Sequence, residues 1–463
     1  MKRSLTPELL VLTVLSALSH FWRLFQPNAV VFDEVYFKEF AGHYLAHTFY
    51  VDVHPPLANL FYAAVARIAG VSPETLLGAS PVPVLRVLPA VCGTLMIPLG
   101  YIILRRLGAM RRVATLGGIA LLCENALLVD SRVSLVEPLL ICAGLVAVAV
   151  YLGARAASGS RRWALLAVAG LFAGIDLSLK WTGASALGMI LALWAFDAWR
   201  ARPLSPRALS EVGVLVAIPI AVYVATFAIH FALLSHIGVG QSAMPPVFHR
   251  TLIGDPTYDS TVHISLFAKI RDVHAVMSRG NFGLRFTTHP AASRWYTWPI
   301  MKHPFAFWEN ETVGAGQKQI VVLLGNPVLW WGALIGVIGA AVWLLRRVPA
   351  SAAHRFGVAF LLGGFAINFV PFIFIRRLMY LYHYLFALVF AVLLAVYWLG
   401  TLAGWNERDE GLFAFDSRRS ARLYWGVVAL VIVSFLYFLP LSYGFVISDR
   451  AFDARMWILH PHL

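Results

Sequence analysis

Long apolar segments alternate with short polar segments along the whole chain. A membrane-spanning helix needs about 20 mostly apolar residues, and eleven segments meet this criterion. They lie at 6–24, 84–104, 113–130, 134–152, 163–179, 182–199, 211–236, 327–345, 354–375, 379–402 and 423–441. The pattern predicts an all-α polytopic membrane protein with about eleven transmembrane helices, organised as one domain over 1–463.

The segment 25–83, between the first two predicted spans, contains helical patterns of a different kind. Apolar residues recur at helical spacing among charged residues near 34–45, which is typical of an amphipathic helix at the membrane interface. A second interfacial helix is predicted at 57–68, because proline is tolerated at a helix start and two prolines precede this apolar run.

Charge in the loops orients the predicted spans. Lys and Arg clusters occupy every second loop, which places the N-terminus in the cytoplasm. The same topology places 25–83 and the long loop 237–317 on the outer face. The long loop is expected to cap that face of the protein. The first apolar segment is followed by no small-residue cleavage site before the acidic residues at 33, so it is expected to remain as a signal anchor.

Composition narrows the class of protein further. Hydrophobic residues make up 60% of the 463 residues and charged residues 13%, against roughly 45–50% and 25% in soluble domains. The net charge of +14 comes from short clusters between apolar segments, so nucleic-acid binding is not predicted. Cys92, Cys123 and Cys142 lie in apolar segments without CxxC or Cys/His spacing, which predicts neither a disulfide framework nor a zinc site.

Several cations lie in short turns of the outer face, where the positive-inside tendency normally excludes them. These are Arg132, Lys180, Arg376 and Arg377. Four exceptions on one face suggest an anionic ligand, although any one of them is also consistent with snorkelling into the headgroup layer. Arg86 opens the second span on the same side and has the same two interpretations.

The acidic pair Asp33-Glu34 begins the first predicted interfacial helix. Adjacent helical side chains diverge by about 100°, so these carboxylates do not flank one bond as a glycosidase pair does. One is therefore a candidate base and the other a structural support, and a helix N-cap is a second, compatible role for Asp33. Glu137 lies just inside the fourth span and is expected to pair with Arg132 or another outer cation.

An outer carboxylate combined with outer cations suits transfer from a sugar phosphate. Phosphate is a good leaving group whose charge Arg and Lys can neutralise, whereas the acceptor hydroxyl needs a base whose basicity partial desolvation raises. His54, His289 and His383 also lie on or near the outer face, but their spacing resembles no metal site. A hydrogen-bonding role is therefore expected for each of these histidines.

Several motifs strongly resemble those of the protein O-mannosyltransferase family and follow that family's order. They cover most of the chain from 23 to 390 and comprise VFDEVYF (31–37), TFYVDVHPPL (48–57), Ser131-Arg132 with Glu137, LKWTG (179–183), the stretch from His289-Pro290 to Trp298-Pro299, and LYHYL (381–385). An acidic pair followed about twenty residues later by HPPL is an unusual combination, whereas the LKWTG motif alone is weak.

The resemblance implies a C-type glycosyltransferase fold and inverting transfer of mannose from polyprenyl phosphate mannose to Ser or Thr of proteins. It maps the catalytic base onto Asp33. It points to a set of donor-phosphate or site-shaping residues, namely Arg86, Arg132, Lys180 and Arg376, and to Trp295 and Trp298 on the acceptor side. The expected substrate-binding set is completed by Glu34, His54, Glu137, Arg377 and His383. No metal and no further cofactor are expected.

One departure from the family pattern concerns acceptor recognition. Eukaryotic members carry a β-trefoil domain in the outer loop, whereas the loop 237–317 is too short for one. The short form resembles bacterial or archaeal members, which implies the plasma membrane, with secreted or membrane proteins as acceptors. Related families act on lipid or glycan acceptors, so a polyprenyl-phosphate-sugar transferase of that type is the alternative. A transporter or flippase is disfavoured, because the charges cluster at one face and no matching pair of broken helices is evident.

Overall fold

The structure is a computed structural model that describes residues 6–201, 203, 205–283, 289–375, 377–407 and 411–456. The helices up to residue 233 are α1 (Pro7–Phe21), α2 (Glu34–Leu45), α3 (Leu57–Ile68), α4 (Pro73–Leu77), α5 (Val87–Arg106), α6 (Arg111–Leu122), α7 (Asn125–Asp130), α8 (Glu137–Arg155), α9 (Gly159–Leu179), α10 (Ala184–Arg200) and α11 (Pro206–Leu233). Later helices are α12 (Pro246–His249), α13 (Leu266–Phe282), α14 (Pro327–Leu345), α15 (Ala352–Phe369), α16 (Leu385–Leu402), α17 (Arg418–Tyr443) and α18 (Asp449–Met456). Three strands are also present, β1 (Phe305–Glu309), β2 (Gln317–Leu323) and β3 (Val446–Ser448).

The helical, membrane-spanning class predicted from the sequence is confirmed. Among the described residues, nine helical segments are long and apolar enough to cross a membrane, and each coincides with a predicted span. Of the other two predicted spans, 6–24 contains the 15-residue α1, and 113–130 is divided between α6 and α7. The total of eleven transmembrane helices therefore stays a prediction.

The division between α6 and α7 corrects the prediction of one continuous helix and has a local cause. Glu124 is fully buried, and its Oε2 accepts a hydrogen bond from the N–H of Leu127 at 2.7 Å. Its Oε1 accepts another from the N–H of Asn326 at 2.8 Å. The carboxylate thus caps a new helix inside the protein, and the turn at 131–136 connects α7 to the N-terminal end of α8.

The two helices predicted in the segment 25–83 have the bounds that the sequence predicted, and their location at the membrane interface stays a prediction. α2 and α3 pack against each other, and α4 packs on α2. The ammonium of Lys38 is buried and donates to the carbonyls of Leu76 and Gly78, where α4 ends. A cation is favoured at the C-terminus of a helix, so these contacts compensate the buried charge of Lys38. They also fix α2, which directly follows Asp33, against α4.

A small antiparallel sheet on the same side was not predicted from the sequence. β2 pairs with both β1 and β3, and a register shift between Ala306 and Trp308 interrupts the β1–β2 pairing. The N–H of Phe32 donates to the carbonyl of Phe307 at 3.1 Å, and the two rings stack with centroids 4.6 Å apart. Phe32 has a φ of 48°, a conformation that an aromatic residue adopts only when its surroundings impose it. The sheet therefore fixes the backbone immediately before Asp33.

Candidate active site

A cavity of about 400 Å³ lies at the N-terminal ends of α8, α10 and α16. Its apolar part includes Leu140, Ile141, Ile367, Phe372, Ile375 and Phe386. Its polar part is formed by His54, Glu137, Lys180, Asn281, Arg377 and His383. Such a cavity suits an amphipathic ligand, because it combines a charged end with an apolar interior.

Glu137 and Lys180 form a buried ion pair in this cavity, which we name the cavity pair. Glu137 begins α8, and Lys180 follows the last residue of α9 in extended conformation. The Nζ of Lys180 lies 2.6 Å from Oε1 of Glu137, and 5.8 Å from the ring centroid of Tyr382. The expectation that Glu137 is paired is thus met by Lys180, whereas Arg132 is not its partner.

Asp33 faces the cavity pair from the first outer segment. It occupies the N-cap position of α2, but among the described residues its side chain makes no capping hydrogen bond. Burial and, to a smaller extent, the negative charge of Glu137 raise the pKa of Asp33, and the positive charge of Lys180 opposes them; the result is a pKa of about 6. The predicted N-cap bond is therefore not formed, and the carboxylate is a base whose affinity for protons is increased.

Glu34 lies next to Asp33 but belongs to a second buried ion pair, with Arg86, which we name the outer clasp. Nε and Nη2 of Arg86 donate to the two oxygens of Glu34 at 2.7 and 2.8 Å. The remaining guanidinium N–H groups reach three carbonyls, those of Leu24, Pro27 and Ala29. The carboxylate of Glu34 also accepts from the N–H groups of Val31 and Ser134.

The outer clasp corrects the roles expected for its two members. A guanidinium has five N–H donors, and all five of Arg86 are engaged by protein acceptors. Arg86 is 1% exposed and does not line the cavity. Neither Arg86 nor Glu34 is therefore placed to bind substrate, and both hold the first outer segment against the start of α5 and the turn before α8.

Arg132 is also removed from the cavity, contrary to the expected phosphate contact. Its guanidinium donates to the carbonyls of Trp22 and Arg23, just after α1 ends, and to the carbonyl of Ser442 near the end of α17. It lies 4.3 Å from the ring centroid of Tyr443. A cation at two helix C-termini is favoured by their dipoles, so Arg132 joins α1 and α17.

His54 lines the cavity and is positioned by a residue that the sequence analysis did not single out. Oδ1 of Asp52 accepts from the backbone N–H of His54 at 3.3 Å, and Oδ2 accepts from Nδ2 of Asn59 at 3.0 Å. Burial, with the positive charges of Lys180 and Arg377, holds the pKa of His54 well below its usual range. Its imidazole is therefore neutral at pH 7.

Arg377 connects the cavity to the long outer loop. Its Nη1 donates to Oδ1 of Asn281 at 2.8 Å, and Nδ2 of Asn281 donates to the carbonyl of Val53 at 2.6 Å. The end of α13, in the loop 237–317, thus forms one wall of the cavity, and the capping of the outer face by this loop stays a prediction. Arg376 lies outside the described residues.

His383 lines the cavity, whereas the two predicted tryptophans do not. Nδ1 of His383 contacts the backbone of Tyr380, and its Nε2 has no hydrogen-bond partner among the described residues. Trp298 is fully buried, donates to Oγ of Ser293 and stacks on His383 with centroids 6.0 Å apart. Trp295 packs against Phe369. Trp298 thus supports His383 from behind, and the acceptor-side role expected for Trp295 and Trp298 stays a prediction.

Two buried carboxylates near the cavity were missed. Asp130 ends α7 and Asp176 lies in the last turn of α9, and both are at most 1% exposed. Neither has a hydrogen-bond partner for either oxygen within the described part of the chain. In the sequence, these two residues look like ordinary polar residues at the ends of predicted spans. No local pattern therefore indicated that they are buried. The described residues also contain no group of three or more His, Cys, Asp or Glu placed to hold a metal ion.

Comparison with known proteins matches both halves of the chain to one family. Residues 10–235 match the family described as dolichyl-phosphate-mannose-protein mannosyltransferase, and residues 266–460 match the C-terminal four-transmembrane region of protein O-mannosyltransferase. Protein O-mannosyltransferase 1 of Drosophila melanogaster is 31% identical over 51% of this chain and 29% of its own length. Dolichyl-phosphate-mannose–protein mannosyltransferase 1 of Saccharomyces cerevisiae is 30% identical over 54% of this chain and 33% of its own length. The chain thus spans about a third of the length of these relatives.

Solved structures confirm the fold class predicted from the sequence. The S. cerevisiae protein O-mannosyltransferase Pmt1-Pmt2 complex bound to the sugar donor has a TM-score of 0.87 and 18% identity, over 99% of this chain and 93% of that chain. ArnT from Cupriavidus metallidurans bound to undecaprenyl phosphate has a TM-score of 0.51 and 15% identity, over 93% and 70%. The apo oligosaccharyltransferase of Archaeoglobus fulgidus has a TM-score of 0.55 and 14% identity, over 97% and 57%. The chain therefore has the C-type glycosyltransferase fold.

Proposed function

Because this chain belongs to the protein O-mannosyltransferase family, we propose that it transfers mannose from polyprenyl phosphate mannose to Ser or Thr hydroxyls of proteins. The observation that carries this proposal is the position of Asp33, a carboxylate without a capping bond among the described residues, beside the cavity pair. A base, a cation and an apolar interior meet there, as the reaction between a hydroxyl and a lipid phosphate sugar requires.

The proposed chemistry is a single displacement with inversion. The Asp33 carboxylate removes the proton of the acceptor hydroxyl while its oxygen bonds to the anomeric carbon of mannose. The bond between that carbon and the phosphate oxygen breaks, and the electron pair leaves with polyprenyl phosphate. The leaving group gains negative charge in this step, so a preorganised cation nearby favours the transition state.

We assign the donor phosphate to the polar end of the cavity. Lys180 and Arg377 supply positive charge there, the neutral imidazole of His54 supplies a hydrogen-bonding group without adding charge, and the ring of His383 lines the same end. Two similar structures are described as bound to a sugar donor and to undecaprenyl phosphate, which supports a lipid-linked donor here. With charge stabilisation assigned to side chains, the proposed reaction uses no metal ion or other cofactor.

The proposed location follows from the loop charges. Lys and Arg clusters in alternate loops favour a cytoplasmic N-terminus, and the cavity lies at the opposite ends of the helices from the Arg105 and Arg155 clusters. The active site would therefore face outward from the plasma membrane, and secreted or membrane proteins would be its acceptors.

A lipid or glycan acceptor is the second candidate. The short loop 237–317 favours it, because this loop offers little surface for recognising a protein. The donor half of the site would be the same in both cases. The less favoured transporter has no support in the cavity, which lies at one face and not at the midplane.

The acceptor and the base are tested together by mass spectrometry of a Thr- and Pro-rich peptide incubated with purified protein and polyprenyl phosphate mannose. We expect a gain of one hexose with the wild type and none with Asp33→Asn. A gain with both proteins would contradict the base. The absence of a gain with folded wild type, followed by transfer in a screen of lipid and glycan acceptors, would favour the second candidate.

A further inference from the structure

Helix α13, in the loop 237–317, has one buried face and one exposed face. On the buried face, Val273 and Met277 are 3% and 1% exposed. On the exposed face, Phe267 and Phe282 lie near the two ends of the helix and are 72% and 65% exposed. Burial of an aromatic side chain is favourable, so two exposed Phe rings on one helix face indicate a surface that contacts something apolar.

Two arginines lie between these rings on the same face of α13. At 100° per residue, positions 267, 271, 275, 279 and 282 fall within an arc of about 120°. Arg271 and Arg279 are exposed, and the side chain of Arg271 stays 75% exposed while it pairs with the neighbouring Asp272 at 2.7 Å. We name this face the α13 stripe, defined by Phe267, Arg271, Ala275, Arg279 and Phe282. Exposed aromatic and basic side chains on one helix face are typical of a helix that lies at a membrane surface.

Contacts with α11 place α13 alongside a membrane span. Nε2 of His274 and the hydroxyl of Tyr223 form a hydrogen bond of 2.8 Å, and Nζ of Lys269 lies 5.7 Å from the ring centroid of Phe231. α11 is long and apolar enough to cross a membrane, and it contains no Asp, Glu, Lys or Arg after Glu211. Because α11 ends at residue 233, Tyr223 lies about 15 Å before that end. α13 therefore packs against the side of the span and not on its end.

The side of α11 that α13 covers continues as an exposed apolar surface. Val216 and Ile220 precede Tyr223 at helical spacing, and they are 38% and 55% exposed. Exposed apolar residues on a membrane-spanning helix face the lipid. The α13 stripe thus borders a lipid-facing surface, which favours lipid over a soluble protein as the neighbour of the stripe.

The end of α13 also belongs to the cavity that contains the cavity pair. Asn281 and Phe282 line this cavity, and Oδ1 of Asn281 accepts from Nη1 of Arg377 at 2.8 Å. The ring of Trp181, another lining residue, stacks on Phe282 with centroids 6.3 Å apart. A membrane contact of α13 would therefore hold one wall of the cavity in place.

We propose that the α13 stripe docks onto the headgroup layer of a membrane that contains anionic phospholipids. The two Phe rings enter the boundary of the acyl chains, and the guanidinium groups of Arg271 and Arg279 contact lipid phosphates. Anionic lipids are favoured over zwitterionic lipids, because Asp272 compensates only one of the two cations. The inference concerns the membrane contact alone and does not depend on mannosyl transfer.

Insertion of the stripe is measured by electron paramagnetic resonance of a spin label on Ala275→Cys, in nanodiscs that contain phosphatidylglycerol. We expect this label to collide more with oxygen, which partitions into lipid, than with the water-soluble complex nickel ethylenediaminediacetate. Ser260→Cys is the matched control, because Ser260 is exposed in the polar turn before α13, and its label should show the reverse. The wild type, labelled in parallel, gives the background of the native cysteines. A label at 275 that collides mainly with the nickel complex would overturn the inference, since the stripe would then face water and be open to a soluble protein.

The preference for anionic lipid is measured by native mass spectrometry of phosphatidylglycerol and phosphatidylcholine retained from an equimolar mixture. Arg271→Gln combined with Arg279→Gln should weaken the preference for phosphatidylglycerol about tenfold. Arg250→Gln combined with Arg294→Gln is the matched control, because both arginines are exposed in the same loop outside α13, and it should change the preference by no more than about twofold. An equal loss in both variants would assign the preference to net charge alone and overturn the inference, as would an unchanged preference in the stripe variant.

Discussion

Two buried ion pairs, the outer clasp and the cavity pair, differ in how many of their hydrogen-bond donors are already used by the protein. In the outer clasp, every N–H of Arg86 donates to a protein acceptor, and Glu34 also accepts two backbone N–H groups. In the cavity pair, the ammonium of Lys180 makes one hydrogen bond within the described residues, to Glu137. Both pairs are buried and both join distant segments. Only the second retains donors for a ligand.

The comparison shows that charge and burial alone do not identify a binding site. A pair whose donors are all used stabilises one arrangement of the chain, because binding a ligand would first break its own bonds. A pair with unused donors beside a cavity can bind an anion at no such cost. The neighbours Asp33 and Glu34 show this division within one motif, since Asp33 faces the cavity pair and Glu34 belongs to the outer clasp.

The largest expected effect comes from the carboxylate on the cavity side of that motif. Asp33→Asn should lower kcat roughly 10³-fold, as expected for loss of a general base. Its unfolding temperature in detergent should not fall, because the Asp33 side chain makes no capping bond among the described residues. Initial rates and thermal unfolding of the same preparation check both statements. Retention of full activity would remove Asp33 from the mechanism.

Breaking the outer clasp should affect stability first. Arg86→Met leaves the Glu34 carboxylate buried without its cation, which should lower the free energy of unfolding by about 3–5 kcal/mol. Lys180→Met is the matched control and should cost less, because Glu137 lines a cavity whereas Glu34 does not. Denaturant unfolding in detergent measures both. If Arg86→Met had normal stability and bound the donor more weakly, Arg86 would be a donor-binding residue and the structural role assigned to it would be wrong.

Donor affinity should distinguish Lys180 from Arg132, which the sequence analysis had assigned the same role. Lys180→Met should raise the Kd for undecaprenyl phosphate roughly 10- to 100-fold, the value of one charge-assisted hydrogen bond of about 1.5–3 kcal/mol. In folded Arg132→Met the Kd should change by no more than about twofold, because this guanidinium contacts helix ends and not the cavity. An equal loss in both variants would contradict this separation.

The pH dependence of transfer should report the environment of Asp33. Its pKa is raised to about 6, and the base acts only when deprotonated. The value of kcat/KM should therefore fall about tenfold for each pH unit below 6 and level off above it. The residual activity of Asp33→Asn should lack this transition. A wild-type profile that is level down to pH 4 would show that the carboxylate is not buried as described.

The smallest expected effect is that of chelation. Transfer should be unchanged by EDTA, because the charge of the leaving phosphate is assigned to Lys180 and Arg377. Rates before and after EDTA treatment, with Mg²⁺ or Mn²⁺ added back, provide the measurement. Loss of activity that a divalent cation restores would show that the cations of the cavity are insufficient.

Helices close to the site were predictable because their signals are local. The bounds of α2 and α3 follow from apolar spacing and from proline at a helix start, and both are features of a dozen residues. The break between α6 and α7 was not predictable, since Glu124, which caps the start of α7, is also held by the N–H of Asn326, about two hundred residues away. The small sheet was missed for the same reason, because its third strand, β3, follows α17.

By itself, the sequence determined the membrane-spanning helical class, the family through its motifs, and Asp33 as the candidate base. Periodicity, loop charge and motif order are properties of the chain in one dimension, so they require no knowledge of packing. Only the tertiary structure decided that Glu34 pairs with Arg86 and Glu137 with Lys180, residues 52 and 43 positions apart. Whether a buried cation can bind a ligand depends on how many of its donors the surrounding segments already use, and that number exists only after the helices have packed.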